Sequence, residues 1–325
     1  MVITSNTQGS QPPMLEVNIE LISVGNELLS GTIANTNAQW LSTQITHAGG
    51  IVKRITMLRD CYREISSAIQ DSIERGPDWL ILSGGLGPTY DDQTLQGLSS
   101  ALGRGLELNP CAVKMLRKSY TQHKQRLLTN DKRLNKTRLK MASIPKGSVP
   151  IQNPVGSAPS VHIDVKNDVG SVAANVAASG GTKTKRTRIV CLPGVPKEMK
   201  AVFSGVILPQ IKEKVGNHHF VESMFETIGV SEAMLAPTLS WLVDSYPSDE
   251  LYLKTHPKGY TTKVSGKGNR KVRLKPKLNI QIVSKGRDKS QVEARYATVL
   301  EVLRKEIHEL GGKISLINNQ DHRDI

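Results

Sequence analysis

Apolar residues along this chain switch repeatedly between the two-residue period of a strand and the 3.6-residue period of a helix. Glu20 to Val24 opens as a strand, and Asn35 to Ala48 follows as an amphipathic helix with Ala38, Leu41 and Ile45 on one face. Ile51 to Leu58 alternates as a second strand, and Ile65, Ile69 and Ile73 mark a helix ended by Gly76-Pro77. Trp79-Leu80-Ile81-Leu82 is short and wholly apolar, the pattern of a strand buried on both faces. Leu95, Leu98, Ala101 and Leu102 return to helical spacing. This β-α-β-α-β-α order predicts an α/β fold, a parallel sheet covered by helices on both faces.

Further along, Asn109-Pro110 opens a helix that runs into a basic stretch. Val161 to Val165 and Arg188 to Leu192 read as strands, with a Gly/Ala/Ser/Thr-rich segment between them from Lys166 to Thr187. A helix is predicted from Pro196 to Val215. After it the pattern changes: strands at Phe225 to Val230 and Leu251 to Thr255 flank a helix starting near Ser231-Glu232. A strand at Lys277 to Val283 and a long helix from Asp288 to Leu310 complete a β-α-β-β-α order, a smaller α+β domain. The expected domains are 16–218, with an insertion at 166–187, and 219–318, between loose tails at 1–15 and 319–325.

The chemistry concentrates between the third strand and the helix after it, at Ser83-Gly84-Gly85-Leu86-Gly87-Pro88-Thr89-Tyr90-Asp91-Asp92. In an open α/β sheet such a turn lies at the carboxyl end of a strand, where ligands bind. Gly84, Gly85 and Gly87 let a ligand approach the backbone, whose N–H groups hold phosphate oxygens. Asp91 and Asp92 suit a divalent ion. Thr89-x-x-Asp92 also fits a capping box, which needs no ligand at all. The loop is neither GxGxxG nor a Walker A sequence, so dinucleotide and P-loop readings are disfavoured.

Together with Val24-Gly25-Asn26-Glu27, Asn35-Thr36-Asn37, Arg59-Asp60, Asn153-Pro154-Val155-Gly156-Ser157-Ala158-Pro159 and Leu192-Pro193-Gly194-Val195-Pro196-Lys197-Glu198-Met199, that loop resembles the MoaB/Mog molybdopterin-binding domain in the variant carried by CinA (competence/damage-inducible) proteins. The resemblance implies a three-layer, mostly parallel α/β domain followed by a small KH-like α+β domain. It implies a phosphorylated ligand, ADP-ribose-like or molybdopterin, held with a divalent metal ion (Mg, Mn or Co). Cleavage of a pyrophosphate bond of an ADP-ribose-type substrate is the first expectation. Molybdopterin binding or adenylylation in molybdenum cofactor synthesis is the second, and a non-enzymatic nucleotide or nucleic-acid module the third. Full-length CinA proteins often carry a nicotinamide-nucleotide deamidase domain, expected to be absent here.

Carried onto this sequence, Asp92 and Asp60 are the candidate catalytic carboxylates, and Asp92 and Asp91 the candidate metal ligands. Gly84, Gly85, Gly87, Thr89, Glu27, Asn35, Asn37, Asn153, Gly156, Ser157, Gly194 and Lys197 are the candidate ligand and phosphate contacts. Arg138 and Lys140 are placed to pair with a polyanion. Structural alternatives stand beside these: Asp60 as a helix N-cap, Asn35 and Asn37 as caps, Lys197 as a solvated lysine.

Composition narrows the classes. Three separated cysteines, Cys61, Cys111 and Cys191, match neither a disulfide framework nor a zinc site and suggest a reducing, cytoplasmic location. No apolar run approaches the roughly 20 residues of a membrane span. The net charge of +14 raises nucleic acid as a partner, but the basic runs Lys183 to Arg188 and Lys258 to Lys277 fall in expected loops. Only weak, non-specific nucleic-acid binding is therefore expected. The KH-like domain lacks a GXXG loop between its first strand and helix, so a structural role or a homo-oligomer interface is expected of it.

Overall fold

The structure, a computed structural model, describes residues 16–124, 135–167, 185–261 and 274–317. The expected tails 1–15 and 319–325 lie outside these, as does all of the expected insertion between residues 168 and 184. The chain divides into two compact units, Met1–Gly216 and Asn217–Ile325.

The first unit opens with β1 (Asn18–Val24), the one-turn helix α1 (Asn26–Leu29), α2 (Thr36–His47), β2 (Ile51–Leu58), α3 (Tyr62–Arg75) and β3 (Trp79–Ser83). It continues through α4 (Thr94–Ala101), β4 (Leu106–Leu108), α5 (Pro110–Lys124), α6 (Lys136–Leu139), β5 (Ser143–Pro145) and β6 (Val149–Ile151). It ends with β7 (Ser160–Asn167), β8 (Lys185–Leu192), α7 (Pro196–Val202) and α8 (Leu208–Val215). The main sheet has the order β2-β1-β3-β8-β7-β6. β2, β1, β3 and β8 are parallel, and β7 and β6 extend the sheet antiparallel.

Alternation along the strands explains the layers. Ile19, Leu21, Trp79, Ile81, Val190 and Leu192 face α2, α7 and α8, packing on Leu41, Ile45, Met199, Phe203 and Ile211. Ile22, Val24, Leu80, Leu82, Ile189 and Cys191 face α3 and α4, packing on Ile65, Ile69, Leu95 and Leu98. The result is the three-layer α/β domain that the resemblance implies. Burial pushes the Cys191 thiol up to about 12, so it serves as a small apolar core residue.

Two expectations are corrected. The helix predicted over Pro196 to Val215 is interrupted by a π-helical turn at Phe203–Ile207. Pro209, at the start of α8, has no N–H to give to the preceding turn, so the ladder shifts register there. The helix after the glycine loop starts at Thr94, with Gln93 as N-cap, and not at the Thr89 capping box.

A buried ion pair ties β1 to α3. Arg75 donates to both carboxylate oxygens of Glu20 at 2.8 and 2.7 Å, and the Ser72 hydroxyl donates at 2.8 Å. Burial alone would raise the Glu20 carboxyl, but the hydrogen bonds from Arg75 and Ser72 outweigh it and hold the group below the usual range. Its stabilising effect is therefore present above the unfolded-state value and lost as pH falls through the lower folded-state value. Arg75→Ala is expected to cost the first unit about 2 kcal/mol at neutral pH, less than for a fully buried pair because Arg75 is itself partly solvated. Urea denaturation at pH 7 and pH 3 checks it: the deficit shrinks at the acidic end, and an equal deficit at both rules out the charge pair as its source.

The second unit comprises β9 (His219–Ile228), α9 (Glu232–Asp244), β10 (Leu251–Tyr260), β11 (Pro276–Gly286), α10 (Lys289–Glu309) and β12 (Lys313–Leu316). The expected β-α-β-β-α order gains β12, which pairs antiparallel with β9. The sheet order is β10-β11-β9-β12. Phe225, Leu278, Ile280 and Ile282 pack on Leu235, Leu242, Val299, Leu303 and Ile307 of the two helices. Asp288 caps α10, its side chain accepting the Gln291 N–H at 2.9 Å. The Arg295 guanidinium, nearly buried, donates to the Glu250 and Lys285 carbonyls and pairs with the Glu250 carboxylate.

Candidate functional site

Four parallel strands end side by side, and the turns after β1, β2, β3 and β8 share one edge of the first unit. From β1 the chain goes through α2 to β2 on one side, while β3 lies on the other side of β1. That divergence makes the crevice outside Val24 and Ser83 a topological switch point, where open α/β sheets bind ligands. A cleft of about 140 Å³ lies there, lined by Val24, Glu27, Asn35, Asn37, Ser83 and Gly194 among others.

The glycines after β3 are required by close backbone approach. Gly84 sits at φ +106°, and a Cβ on it would lie 2.2 Å from the Val24 carbonyl oxygen. Gly85 sits at φ +65°, and a Cβ there would lie 2.4 Å from the Thr94 hydroxyl, which donates to the Gly84 carbonyl at 2.7 Å. A Cβ on Gly194, in the turn after β8, would come within 3.3 Å of the Gly84 Cα. The two turns therefore pack backbone to backbone. The Gly84 N–H continues the sheet by donating to Leu192. Those of Gly85, Leu86 and Gly87 find no acceptor among the described residues. Successive unused N–H groups in a turn are the material of anion-binding concavities.

The acidic candidates divide by role. Asp92 turns back on its own loop: its Oδ2 accepts the Thr89 N–H at 2.8 Å and the Thr89 hydroxyl, closing the turn. The Lys140 amine donates to the Thr89 carbonyl. Asp91 is half-exposed; proximity to Thr89, its own N–H and Lys140 holds its carboxyl below the usual range, while the one Thr89 hydroxyl proton is given to Asp92. Asp60 accepts the Asn26 N–H at 2.9 Å, joining the turns after β2 and β1. Burial pushes its carboxyl up, and the neighbouring Glu27, Asp91 and Asp92 charges add to this. Four carboxylates thus crowd one edge. Among the described residues no three or more His, Cys, Asp or Glu side chains form a metal-binding group. Tyr90 is 90% exposed and stacks on no ring among the described residues.

Asn35 and Asn37 hold the start of α2. Asn35 is its N-cap, accepting the Ala38 N–H at 3.1 Å and exchanging hydrogen bonds with Ser23. Asn37 donates to the Gly194 carbonyl at 2.7 Å, and its own buried Oδ1 has no donor among the described residues.

A larger cavity of about 430 Å³ adjoins the glycine loop. Leu86, Pro88, Met141 and Val195 give it apolar walls, and Tyr120, Ser157, Asp92 and Glu198 bring polar atoms. Asn153, 2% exposed, builds the wall. Its Oδ1 accepts the Val155 and Gly156 N–H groups at 3.0 and 2.8 Å, and its Nδ2 donates to the Ala158 carbonyl and, at 2.7 Å, to Glu198 Oε2. A Cβ on Gly156 would lie 1.9 Å from that carboxylate, so glycine makes room for Glu198. Arg138 stacks on the Tyr120 ring, 4.7 Å from its centroid.

The edge thus gathers Gly84, Gly85, Gly87, Thr89, Asp60, Asp91, Asp92, Glu27, Asn37, Ser157 and Gly194, while Asn35, Asn153 and Gly156 act as scaffold. Lys197 is exposed and lines neither cavity; Glu198, the next residue, does. Sequence reasoning missed Tyr120, Met141 and Glu198. The helical phase of α7, which buries Met199, was the available signal for Glu198.

A family model described as "Probable molybdopterin binding domain" matches residues 20–213. A protein of Sulfurisphaera tokodaii is 36% identical over 295 residues, which is 91% of this chain and 97% of its own length. Among solved structures, the protein CinA with unknown function from Thermoplasma acidophilum is 34% identical, covering 61% of this chain and 98% of that one at a TM-score of 0.46. The molybdopterin biosynthesis enzyme MoaB from Thermus thermophilus is 18% identical, covering 61% and 96% at a TM-score of 0.35.

Proposed function

Because this chain belongs to the molybdopterin-binding-domain family, we propose that it binds a phosphorylated pterin of the molybdopterin type at the carboxyl edge of its main sheet. The observation that carries this reading is the run of unused N–H groups at Gly85, Leu86 and Gly87 on the wall of the 430 Å³ cavity. The phosphate takes those N–H groups, and the flat heterocycle enters between Leu86, Met141, Val195 and Tyr120. Calorimetric titration of the full chain with neopterin phosphate tests it, with neopterin as the phosphate-free control. Saturable binding that needs the phosphate is expected; equal or no binding of both sinks the reading.

A divalent ion fits as the ligand's partner and not as a resident of a closed protein cage. Asp60 and Asp91 would supply two carboxylates and the phosphate the remaining oxygens, the usual arrangement for Mg²⁺. Mg²⁺ is then expected to tighten phosphate binding, and Asp91→Asn to remove most of that increment while leaving the turn, which Asp92 closes, unchanged. Without the ion, the same substitution removes a repulsive charge and strengthens binding. Titrations in Mg²⁺ and in chelator decide between these signs.

One observation favours a second reading, cleavage of the pyrophosphate in an ADP-ribose-type substrate. The raised Asp60 carboxyl beside Glu27, Asp91 and Asp92 suits a proton-transferring or metal-assisted step. Release of AMP from ADP-ribose in Mg²⁺, Mn²⁺ or Co²⁺ supports it, and intact substrate after prolonged incubation removes it.

A further inference from the structure

The cavity contains a feature that separates the heterocycles of the two readings, a pterin and an adenine. Glu198 stands in its wall with one carboxylate oxygen held and the other unused. Oε2 accepts the Asn153 amide at 2.7 Å, and Oε1 accepts nothing among the described residues. Asn153, which holds Oε2, is itself fixed by two N–H groups and a carbonyl of the Val155–Ala158 turn. Gly156 leaves room for it where any side chain would collide, at 1.9 Å. This oriented carboxylate shares the cavity with an aromatic ring, Tyr120, and with apolar walls from Leu86, Met141 and Val195.

A carboxylate only accepts hydrogen bonds, so its complement is a ligand edge that only donates. The 2-amino-4-oxopyrimidine ring of pterins and of guanine presents two adjacent donors, the amino group and the ring N–H, at a spacing that meets both carboxylate oxygens. Adenine presents one amino donor beside a ring nitrogen with a lone pair, which faces the carboxylate in repulsion. Building on the proposed pterin-phosphate site, we infer that Glu198 is the specificity-determining residue of this cavity. It reads the donor edge of a 2-amino-4-oxopyrimidine heterocycle and rejects adenine. Asn153 is its positioning residue.

Calorimetric titration of the full chain with neopterin phosphate, GMP and AMP tests this, on the native sequence and on Glu198→Gln. Glutamine keeps an oxygen for Asn153, so the wall stays built, but it loses the charge and offers a donor where an acceptor stood. The native chain is expected to bind neopterin phosphate and GMP at least about tenfold more tightly than AMP, as loss of charge-assisted hydrogen bonds requires. Glu198→Gln is expected to weaken the first two by about tenfold or more and to leave AMP unchanged or improved. The comparison of GMP with AMP needs no variant, so it stands even if Glu198→Gln folds poorly. Binding of neopterin phosphate that Glu198→Gln leaves intact overturns the role of Glu198 and spares the pterin-phosphate site. Equal affinity of the native chain for GMP and AMP also overturns it. Failure of the native chain to bind any of the three overturns both.

Discussion

Gly84→Ala is expected to destabilise the first unit by about 3–5 kcal/mol and to abolish ligand binding. At φ +106° an L side chain is strained by about 1–3 kcal/mol. The added methyl would also lie 2.2 Å from the Val24 carbonyl oxygen, which is backbone in the central strand and has no room to retreat. Relief must come from pushing the β3 turn off β1, at a further 1–3 kcal/mol or so for overpacking. That shift breaks the Gly84 N–H bond to Leu192 and displaces the unused N–H groups of Gly85 to Gly87. Gly103→Ala is the matched control, with φ +60° and nothing within 4 Å, so only the backbone term of about 1 kcal/mol applies. Thermal melts of both variants, followed by neopterin phosphate titration, separate local strain from site loss. Similar melting temperatures for the two would show that the Val24 contact is not tight.

What the chain reveals before folding is uneven, for physical reasons. The glycines at 84, 85 and 87 are legible because few other residues tolerate such close approach. The strands around them are legible because both faces are buried. Asp92 was ambiguous: the same Thr-x-x-Asp spacing serves a cap, a turn lock or a metal ligand. In the fold it locks a turn two residues before the helix begins. The short strands β4, β5 and β6 carry three residues each, too few for any periodicity. Glu198 was hidden because its meaning depends on Asn153, forty-five positions away, and on the seat left by Gly156. Lys197 is a phosphate candidate by charge, but it is exposed and lines neither cavity. Charge named the residue type, and geometry chose its neighbour.

The dependence of Glu198 on Asn153 leads to the second large effect, expected for Asn153→Asp. The substitution is nearly isosteric and keeps the oxygen that accepts the Val155 and Gly156 N–H groups. It replaces the NH2 that donates both to the Ala158 carbonyl and to Glu198 with a second carboxylate oxygen, in a position now 2.7 Å from Glu198 Oε2. Two carboxylates at that distance inside a wall cannot both stay charged, so the pair keeps one proton to higher pH in the folded state than in the unfolded chain. A folded-state value raised in this way favours the fold below the unfolded value of about 4 and penalises it as pH rises. The variant is therefore expected to keep a deficit of about 1 kcal/mol at about pH 4, from the unpaired Ala158 carbonyl, and to fall some 3–4 kcal/mol below the native chain at neutral pH. Asn153→Ala instead leaves two N–H groups and a carbonyl unpaired at every pH, a flat loss of about 3 kcal/mol. Urea titrations from pH 4 to pH 8 distinguish the two slopes. A flat deficit for Asn153→Asp would mean that Glu198 had swung clear of Asn153, and that the wall of the cavity is held by the Val155–Ala158 turn alone.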